Sequence, residues 1–330
     1  MRVMEQNPFL FGIYLGGVAG IDNEVGLTVS KADKPGAICQ ALDTLQGEKN
    51  LFIVRNYLHF KGVPQIDSVN EAVQNAHQYC GPNRKLDLVL CFQTTVYSSS
   101  IWQQFIHQVL DYYGPVLHSI QIAEEPNMYQ FPGDGTFPQI SQVIVDGVIF
   151  AKQEIRKRGL PIQVGFNAVP CFDKADPFWN SLRQLLDASF LDSLDYVGLD
   201  FFPDVFRPIN PDSQEGDIHK MVEGLLHHFR DVNLKTTGID QTISIRITEH
   251  GWPTGPTRSP ERQAYLLNTI IRGIYACRTE LNITHYELFS LRDADSENPN
   301  LFYQFGLLQD DYSAKPAFYT YQQLIEELSS

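Results

Sequence analysis

The sequence predicts a single-domain α/β protein of the (β/α)8 TIM-barrel class, and three observations support this prediction. Short apolar or β-branched segments recur along all 330 residues, and each is followed by a longer segment with helical spacing. Eight such pairs can be distinguished, which is the number that closes a parallel barrel. The links from strand to helix are long and those from helix to strand are short, as expected when one rim carries the functional loops.

The predicted strands are short apolar runs, expected at Phe9–Leu15, Leu51–Arg55, Leu86–Phe92, Ser119–Ala123, Ile162–Phe166, Tyr196–Phe201, Ile243–Thr248 and Tyr286–Leu291. The predicted helices have helical apolar spacing, and several have terminal signals such as Ser259-Pro260 at a start and Gly159 after basic residues at an end. They are expected at Pro35–Leu45, Val69–Gln78, Ile101–Tyr112, Ile140–Arg158, Pro177–Leu186, Ile218–Arg230, Pro260–Glu280 and Ala317–Leu328. No linker divides the chain, so residues 1–330 are expected to form one domain.

Charge and composition argue against several kinds of partner. Asp and Glu number 39 against 25 Lys and Arg, so phosphate backbones are repelled and no nucleic acid is expected. No run of about 18 apolar residues is free of charged and turn residues, so no membrane span is expected. The five cysteines are scattered and odd in number, which favours free thiols in the cytoplasm. The apolar run Pro8–Ala19 imitates a signal peptide but is interpreted as the first strand.

No metal or other cofactor is expected. None of the nine histidines belongs to a His-x-His pair after an early strand, as a metal-dependent barrel hydrolase would require. The glycines from Gly16 to Gly20 lack the Gly-x-Gly-x-x-Gly spacing of a dinucleotide site. They are interpreted as a loop at the rim.

The strand ends carry the candidate catalytic residues. Glu125 follows the fourth predicted strand and Glu249 follows the seventh, and these strands lie on facing parts of an eight-stranded barrel. Either glutamate taken alone fits a solvated loop charge equally well, but glycosidic cleavage needs one protonated acid and one ionised carboxylate. The pair therefore predicts a glycosidase. Alternation along strand four places Glu125 on the same face as Gln121 and Glu124 on the other.

Two further residues have a functional and a structural interpretation. Arg55 closes the second predicted strand, where it either keeps Glu249 ionised and oriented or forms an ordinary ion pair at the rim. Trp252 lies beside Glu249 in sequence and is either a stacking surface for a sugar ring or a core residue. Glu124 is expected to touch substrate or, through its charge, to raise the pKa of Glu125.

The segment from Thr248 to Thr254, TEHGWPT, resembles the nucleophile segment of the clan A glycoside hydrolases, and is closest to the Glu-x-Gly-Trp-Pro-Ser pattern of endo-1,3-β-glucanases. Glu125-Pro126 resembles the second half of that clan's Asn-Glu-Pro motif, and Arg55 stands where the clan has a strand-two arginine. The resemblance implies a retaining hydrolase of β-linked oligo- or polysaccharides, with Glu125 as acid/base and Glu249 as nucleophile. The predicted substrate-binding residues are Arg55, Glu124, Asn127, Asn167, Phe202 and Trp252.

Three departures from the clan's pattern are present. Glu124 stands where the clan usually has an asparagine that hydrogen-bonds the sugar 2-hydroxyl. Phe202 stands near the position of a strand-six tyrosine, and Leu288-Phe289 lacks the usual tryptophan of strand eight. These departures keep open an alternative, a catalytically weak or inactive barrel protein that binds carbohydrate.

Overall fold

A computed structural model of the chain describes residues 8–20, 27–47, 51–130, 132–206 and 215–329. Eight parallel strands form a closed barrel in sequence order, with β8 paired to β1. The predicted (β/α)8 fold is therefore confirmed. The strands are β1 Leu10–Tyr14, β2 Phe52–Phe60, β3 Arg84–Phe92, β4 Leu117–Ile122, β5 Gln163–Ala168, β6 Tyr196–Asp200, β7 Ser244–His250 and β8 Ile283–Leu288.

Helices connect most of the strands and cover the outside of the barrel. A π-helical turn, Phe229–Leu234, joins the sixth helix to the seventh. Within the described ranges, no helix combines the length and the apolar character needed to cross a lipid bilayer. The helices are α1 Pro35–Gln46, α2 Ser99–Tyr113, α3 Ile140–Arg158, α4 Pro177–Leu185, α5 Ala188–Leu191, α6 Glu215–His228, α7 Lys235–Thr237, α8 Pro260–Leu281 and α9 Pro316–Leu328.

The helix predicted at Val69–Gln78 is wrong, because this segment forms two short 3-10 turns, Ser68–Asn70 and Ala76–Tyr79. Between the turns, the backbone of Val73 forms its hydrogen bonds with a side chain of β2 instead of with its own segment. The Asn56 carboxamide accepts from Val73 N and donates to Val73 O, both at 3.0 Å. These tertiary bonds replace the local bonds that an α-helix requires.

Strand β2 is longer than predicted, because it continues beyond Arg55 to Phe60. All nine of its residues pair with β3, from Phe52 opposite Arg84 to Phe60 opposite Phe92. The polar residue Asn56 lies in the middle of the strand. Its carboxamide forms hydrogen bonds outside the barrel, with the segment between β2 and β3. Arg55 therefore lies inside the barrel below the rim and does not close the strand.

Candidate active site

A cavity of about 390 Å³ lies at the rim where the strands end. Its lining includes Tyr57 of β2, Glu124 and Glu125 after β4, and Glu249 of β7. The two glutamates that the sequence singles out as a catalytic pair are thus brought into one cavity from facing sides of the barrel. This is the rim at which enzymes with this fold carry their chemistry.

Glu249 receives its contacts from β2. The Tyr57 hydroxyl donates to Glu249 Oε1, and Arg55 Nε lies 3.9 Å from the same oxygen. Arg55 Nε also donates to the Tyr57 hydroxyl at 3.0 Å, so the three side chains form a chain of polar contacts. A hydrogen-bond donor and a positive charge at one oxygen stabilise the ionised form of a carboxyl group.

The backbone after Glu249 passes so close to β8 that a glycine is required. A Cβ atom on Gly251 would lie 1.8 Å from the carbonyl oxygen of Phe289. His250, which stands between Glu249 and Gly251 in the sequence, is fully buried, and its Nδ1 contacts the Tyr286 hydroxyl. In this Glu-His-Gly segment, the glutamate is therefore the catalytic candidate, the histidine is buried, and the glycine allows the backbones that follow β7 and β8 to lie close together.

Backbone distortion after β4 places Glu124 and Glu125 in the cavity together. Ala123 has a φ of 69° and Glu125 a φ of 42°, which is the left-handed region that non-glycine residues rarely adopt. Two side chains hold this turn, since Asp134 Oδ2 accepts from Glu124 N and Asn167 Oδ1 accepts from Glu125 N, each at 2.8 Å. Such backbone persists only where surrounding contacts determine it.

The predicted orientation of Glu124 is wrong. Its Oε2 accepts from Gln121 Nε2 at 2.7 Å and from Asn167 Nδ2 at 3.2 Å, and lies 3.5 Å from Arg55 Nη2. Glu124 therefore lies on the same side as Gln121, and not on the opposite one. The alternation that predicts the opposite face ends with β4 at Ile122, one residue before the left-handed turn begins.

Carboxylates crowd the floor of the cavity. Oxygen atoms of Glu124, Asp200 and Glu249 all lie within 4.8 Å of one another, and Asp200 is paired with Glu249 across β6 and β7. Burial, followed by the charges of Asp200 and Glu249, raises the pKa of Glu125 well above its ordinary value, and the same causes act on Glu124. Burial and the Glu249 charge raise the pKa of Asp200 to about 8. These surroundings favour the protonated form of Glu125, which is the form that a general acid requires.

The other predicted substrate-binding residues have different positions. Phe202 lines the cavity, and its ring contacts that of Phe305 at a centroid distance of 5.8 Å. Asn167 is fully buried and its carboxamide bonds the chain around Glu124 and Glu125. Asn127 is also buried, and its carboxamide bonds Val169 through both N and O. Neither asparagine lines the cavity.

Trp252 does not line the cavity either, so the expected stacking surface is not found at this residue. Its side chain is 3% exposed, and its Nε1 donates to Asp204 Oδ2 at 3.0 Å. The guanidinium of Arg258 lies over the indole ring, 4.8 Å from its centroid. The contacts that the described residues make with Trp252 are those of a core residue.

Sequence reasoning missed Tyr57 and Asp134 as site residues. Tyr57 has a detectable signal, because it lies two positions after Arg55 and shares its face once β2 is extended. Asp134 has none, since it follows β4 within a long loop and acts through backbone amides of Phe92 and Glu124. Asp200 stands out as a polar strand end, but its closeness to Glu249 depends on the pairing of β6 with β7.

No protein-family model and no curated protein sequence matches this chain. Solved structures do match it in fold. A GH1 β-glucosidase from Exiguobacterium antarcticum B7 has a TM-score of 0.63 at 13% identity, with 99% of each chain covered. A glycoside hydrolase family 17 β-1,3-glucanosyltransferase from Rhizomucor miehei has a TM-score of 0.55 at 14% identity, with 93% of this chain and 96% of that chain covered.

A family 39 glycoside hydrolase from Bacteroides cellulosilyticus WH2 has a TM-score of 0.59 at 13% identity, covering 99% of this chain and 65% of that chain. At these identities the likeness is one of fold. The protein shares its barrel with clan A glycoside hydrolases of families 1, 17 and 39.

Proposed function

We propose that this protein is a retaining β-glycoside hydrolase, with Glu249 as the nucleophile and Glu125 as the acid/base. One observation carries the proposal: two carboxyl groups from facing strands line one cavity in contrasting surroundings. Glu249 has a hydroxyl donor, Tyr57, and a cation, Arg55, at its Oε1. Glu125 has burial and like charges around it, which favour the protonated form. Such a contrast separates acid from nucleophile in glycosidases.

In the first step, the Glu125 carboxyl donates its proton to the glycosidic oxygen while Glu249 attacks the anomeric carbon. The bond to the leaving oxygen breaks, and an alcohol and a covalent glycosyl-enzyme result. In the second step, the Glu125 carboxylate takes a proton from water, whose oxygen attacks the anomeric carbon and frees Glu249. Two inversions give net retention.

The mechanism is tested by proton NMR of the first anomer released from a panel of β-glycosides and β-linked oligosaccharides. A β-product is expected, and an initial α-product would show that Glu249 is not the nucleophile. Glu249→Gln serves as the inactive control. Sugar binding without hydrolysis across the whole panel would instead favour the alternative of a carbohydrate-binding protein.

Loss of the Tyr57 hydroxyl in Tyr57→Phe is expected to lower kcat/KM by roughly tenfold, because a hydrogen bond to the nucleophile is lost. Tyr196→Phe is a matched control: Tyr196 is also fully buried inside the barrel, and its hydroxyl has no hydrogen-bond partner among the described residues. Equal effects of the two variants would mean that Tyr57 acts only through packing.

Trp252→Phe is expected to destabilise the protein while KM stays unchanged, because the indole bonds Asp204 and does not line the cavity. Loss of a buried hydrogen bond to a carboxylate lowers the free energy of unfolding by about 1–3 kcal/mol. Thermal unfolding and steady-state kinetics on one substrate measure both quantities. A raised KM without a lower Tm would restore Trp252 as a sugar-binding residue.

We also propose that the chain acts as one catalytic domain in the cytoplasm. The five cysteines support this location, since none of them is disulfide-bonded and Cys91 is buried in the barrel. Free buried thiols are typical of reducing compartments. Localisation of the tagged full-length chain by cell fractionation tests this proposal.

A further inference from the structure

Acidic side chains outnumber basic ones in the lining of the cavity. Three carboxyl groups line it, those of Glu124, Glu125 and Glu249, and no lysine or arginine is among the described residues of its lining. His59 also lines it, but burial lowers its pKa and keeps it neutral. The lining thus has an excess of acidic over basic side chains.

The nearest cation does not neutralise this excess. Arg55 lies 3.5 Å from Glu124 and 3.9 Å from Glu249, but its shortest ion pair, at 2.6 Å, is with the fully buried Asp87. Asp200 adds a fourth carboxyl group beside Glu124 and Glu249. Burial and like charges raise the pKa of Glu124, and raise that of Asp200 to about 8, so the empty site holds these groups toward their neutral forms. A ligand that supplies positive charge would favour their ionised forms instead.

We propose that the substrate is a 2-amino-2-deoxy-β-glycoside whose ammonium group binds the Glu124 carboxylate. This inference rests on the proposed function, because it places a sugar in the cavity with its anomeric carbon at Glu249. It names the chemical class of the glycone, which the catalytic pair alone does not determine.

The geometry selects the position of the amino group on the sugar. The nucleophile must contact the anomeric carbon, and a Glu124 oxygen lies within 4.8 Å of a Glu249 oxygen. Among the ring substituents that carry a free donor, the one on the carbon next to the anomeric carbon lies nearest to the attacked atom. That substituent is the 2-amino group, and Glu124 is within its hydrogen-bonding reach.

The chemistry of Glu124 selects an amine over a hydroxyl. Gln121 and Asn167 both donate to Glu124 Oε2, so the group is surrounded by donors in the way that a carboxylate requires. A hydroxyl would supply one neutral hydrogen bond and leave the repulsion between Glu124, Asp200 and Glu249 in place. An ammonium supplies a charge-assisted bond and offsets the repulsion. The burial and like charges that raise the Glu124 pKa in the empty site are the same features that favour a bound cation.

Hydrolysis of such a substrate follows the proposed cycle without a further reactant. One water is consumed, the bond between the anomeric carbon and the leaving oxygen breaks, and a free amino sugar and an alcohol are released. The amino group remains protonated throughout and takes no part in bond exchange.

The experiment compares 4-nitrophenyl 2-amino-2-deoxy-β-D-glucopyranoside with its N-acetyl derivative and with the β-D-glucopyranoside, together with the three galacto counterparts. The glucopyranoside carries a hydroxyl of nearly the same size in place of the amino group, so it separates charge from shape, whereas acetylation keeps the nitrogen but removes the charge and adds bulk. The amino substrate is expected to have a kcat/KM roughly 10- to 100-fold above the other two. Equal or faster hydrolysis of the hydroxy sugar by the wild-type chain would overturn the proposal.

The variant Glu124→Gln keeps the shape of the side chain and removes its charge. It is expected to abolish the preference for the amino substrate, whereas Glu326→Gln, which removes a charge from the exposed face of α9, is expected to retain it. A preference that survives in Glu124→Gln would assign the amine to another group. Should this variant fail to fold, the wild-type comparison of the amino and hydroxy substrates decides alone.

Calorimetry separates this inference from the proposed function. The methyl β-glycosides of glucosamine, N-acetylglucosamine and glucose are titrated into Glu249→Gln, with and without EDTA and with magnesium or calcium chloride. Tighter binding of the glucosamine glycoside supports the inference even if the wild-type chain hydrolyses nothing, which would reject only the proposed function. Binding of a metal ion that displaces the amino sugar would show that the acidic floor is a cation site, and would overturn the inference.

Discussion

Replacement of Glu249 by alanine is expected to lower kcat on every β-glycoside by on the order of 10⁴-fold or more, because the group that attacks the anomeric carbon is lost. Added azide should restore part of the activity. Azide enters the space that the carboxylate leaves and attacks from the same side, so the product should be the α-glycosyl azide. Proton NMR of this product identifies both the position of attack and its stereochemistry.

The control for this experiment is Glu326→Ala, which removes an exposed glutamate from the last helix and should leave kcat unchanged. Thermal unfolding of Glu249→Ala shows whether Tyr57 and Arg55, which lose their partner, still support the fold. Retention of more than about one part in a hundred of kcat, with an unchanged stereochemical course, would remove Glu249 from the role of nucleophile.

Replacement of Glu125 by alanine is expected to produce a loss that depends on the leaving group. A glycoside whose alkoxide leaves poorly needs the proton, so its kcat/KM should fall by about 10²- to 10⁴-fold. The 2,4-dinitrophenolate group leaves its glycoside without protonation. The first step on this substrate should therefore be nearly unaffected, and the glycosyl-enzyme should accumulate. A pre-steady-state burst of dinitrophenol measures this directly. A loss of equal size on both substrates would indicate that Glu125 acts by positioning alone.

The pH dependence has a definite sign. Burial and the charges of Asp200 and Glu249 raise the pKa of Glu125, and the reaction requires its protonated form. The wild-type kcat/KM on a poor leaving group should therefore decline only as the pH rises through the raised pKa of Glu125. In Glu125→Ala, measured with the dinitrophenyl glycoside, this basic limb should disappear. Its persistence would assign the limb to Asp200 or Glu124, whose pKa values are also raised.

The sequence predicts the barrel well because its strands are buried on both faces and stand out as apolar runs between helices. The helices with capping signals are also predicted well. Pro260 begins α8 and Gly159 follows α3, as the sequence indicates. These features are local, since each depends on residues within one or two turns of the chain.

The features that failed to follow from the sequence depend on distant contacts. The turn at Ala123 depends on Asp134, ten positions after Glu124 in the same loop, and on Asn167 of β5, so strand alternation gives the wrong face for Glu124. Trp252 adjoins Glu249 in sequence, but it is directed to Asp204 in the core by a bond across 48 positions. Neighbouring positions in sequence do not share a face once the strand has ended.

The long strand β2 determines how deep in the site each of its inward side chains lies. Side chains two positions apart on this strand are about 7 Å apart along it. Arg55 reaches Asp87 inside the barrel, Tyr57 reaches Glu249, and His59 reaches the cavity. Because β2 pairs with β3 over nine residues, a slip of one residue would turn all three side chains outward. Insertions or deletions that adjust the depth of this site must therefore come in pairs of residues, whereas the loops above the rim can change length one residue at a time.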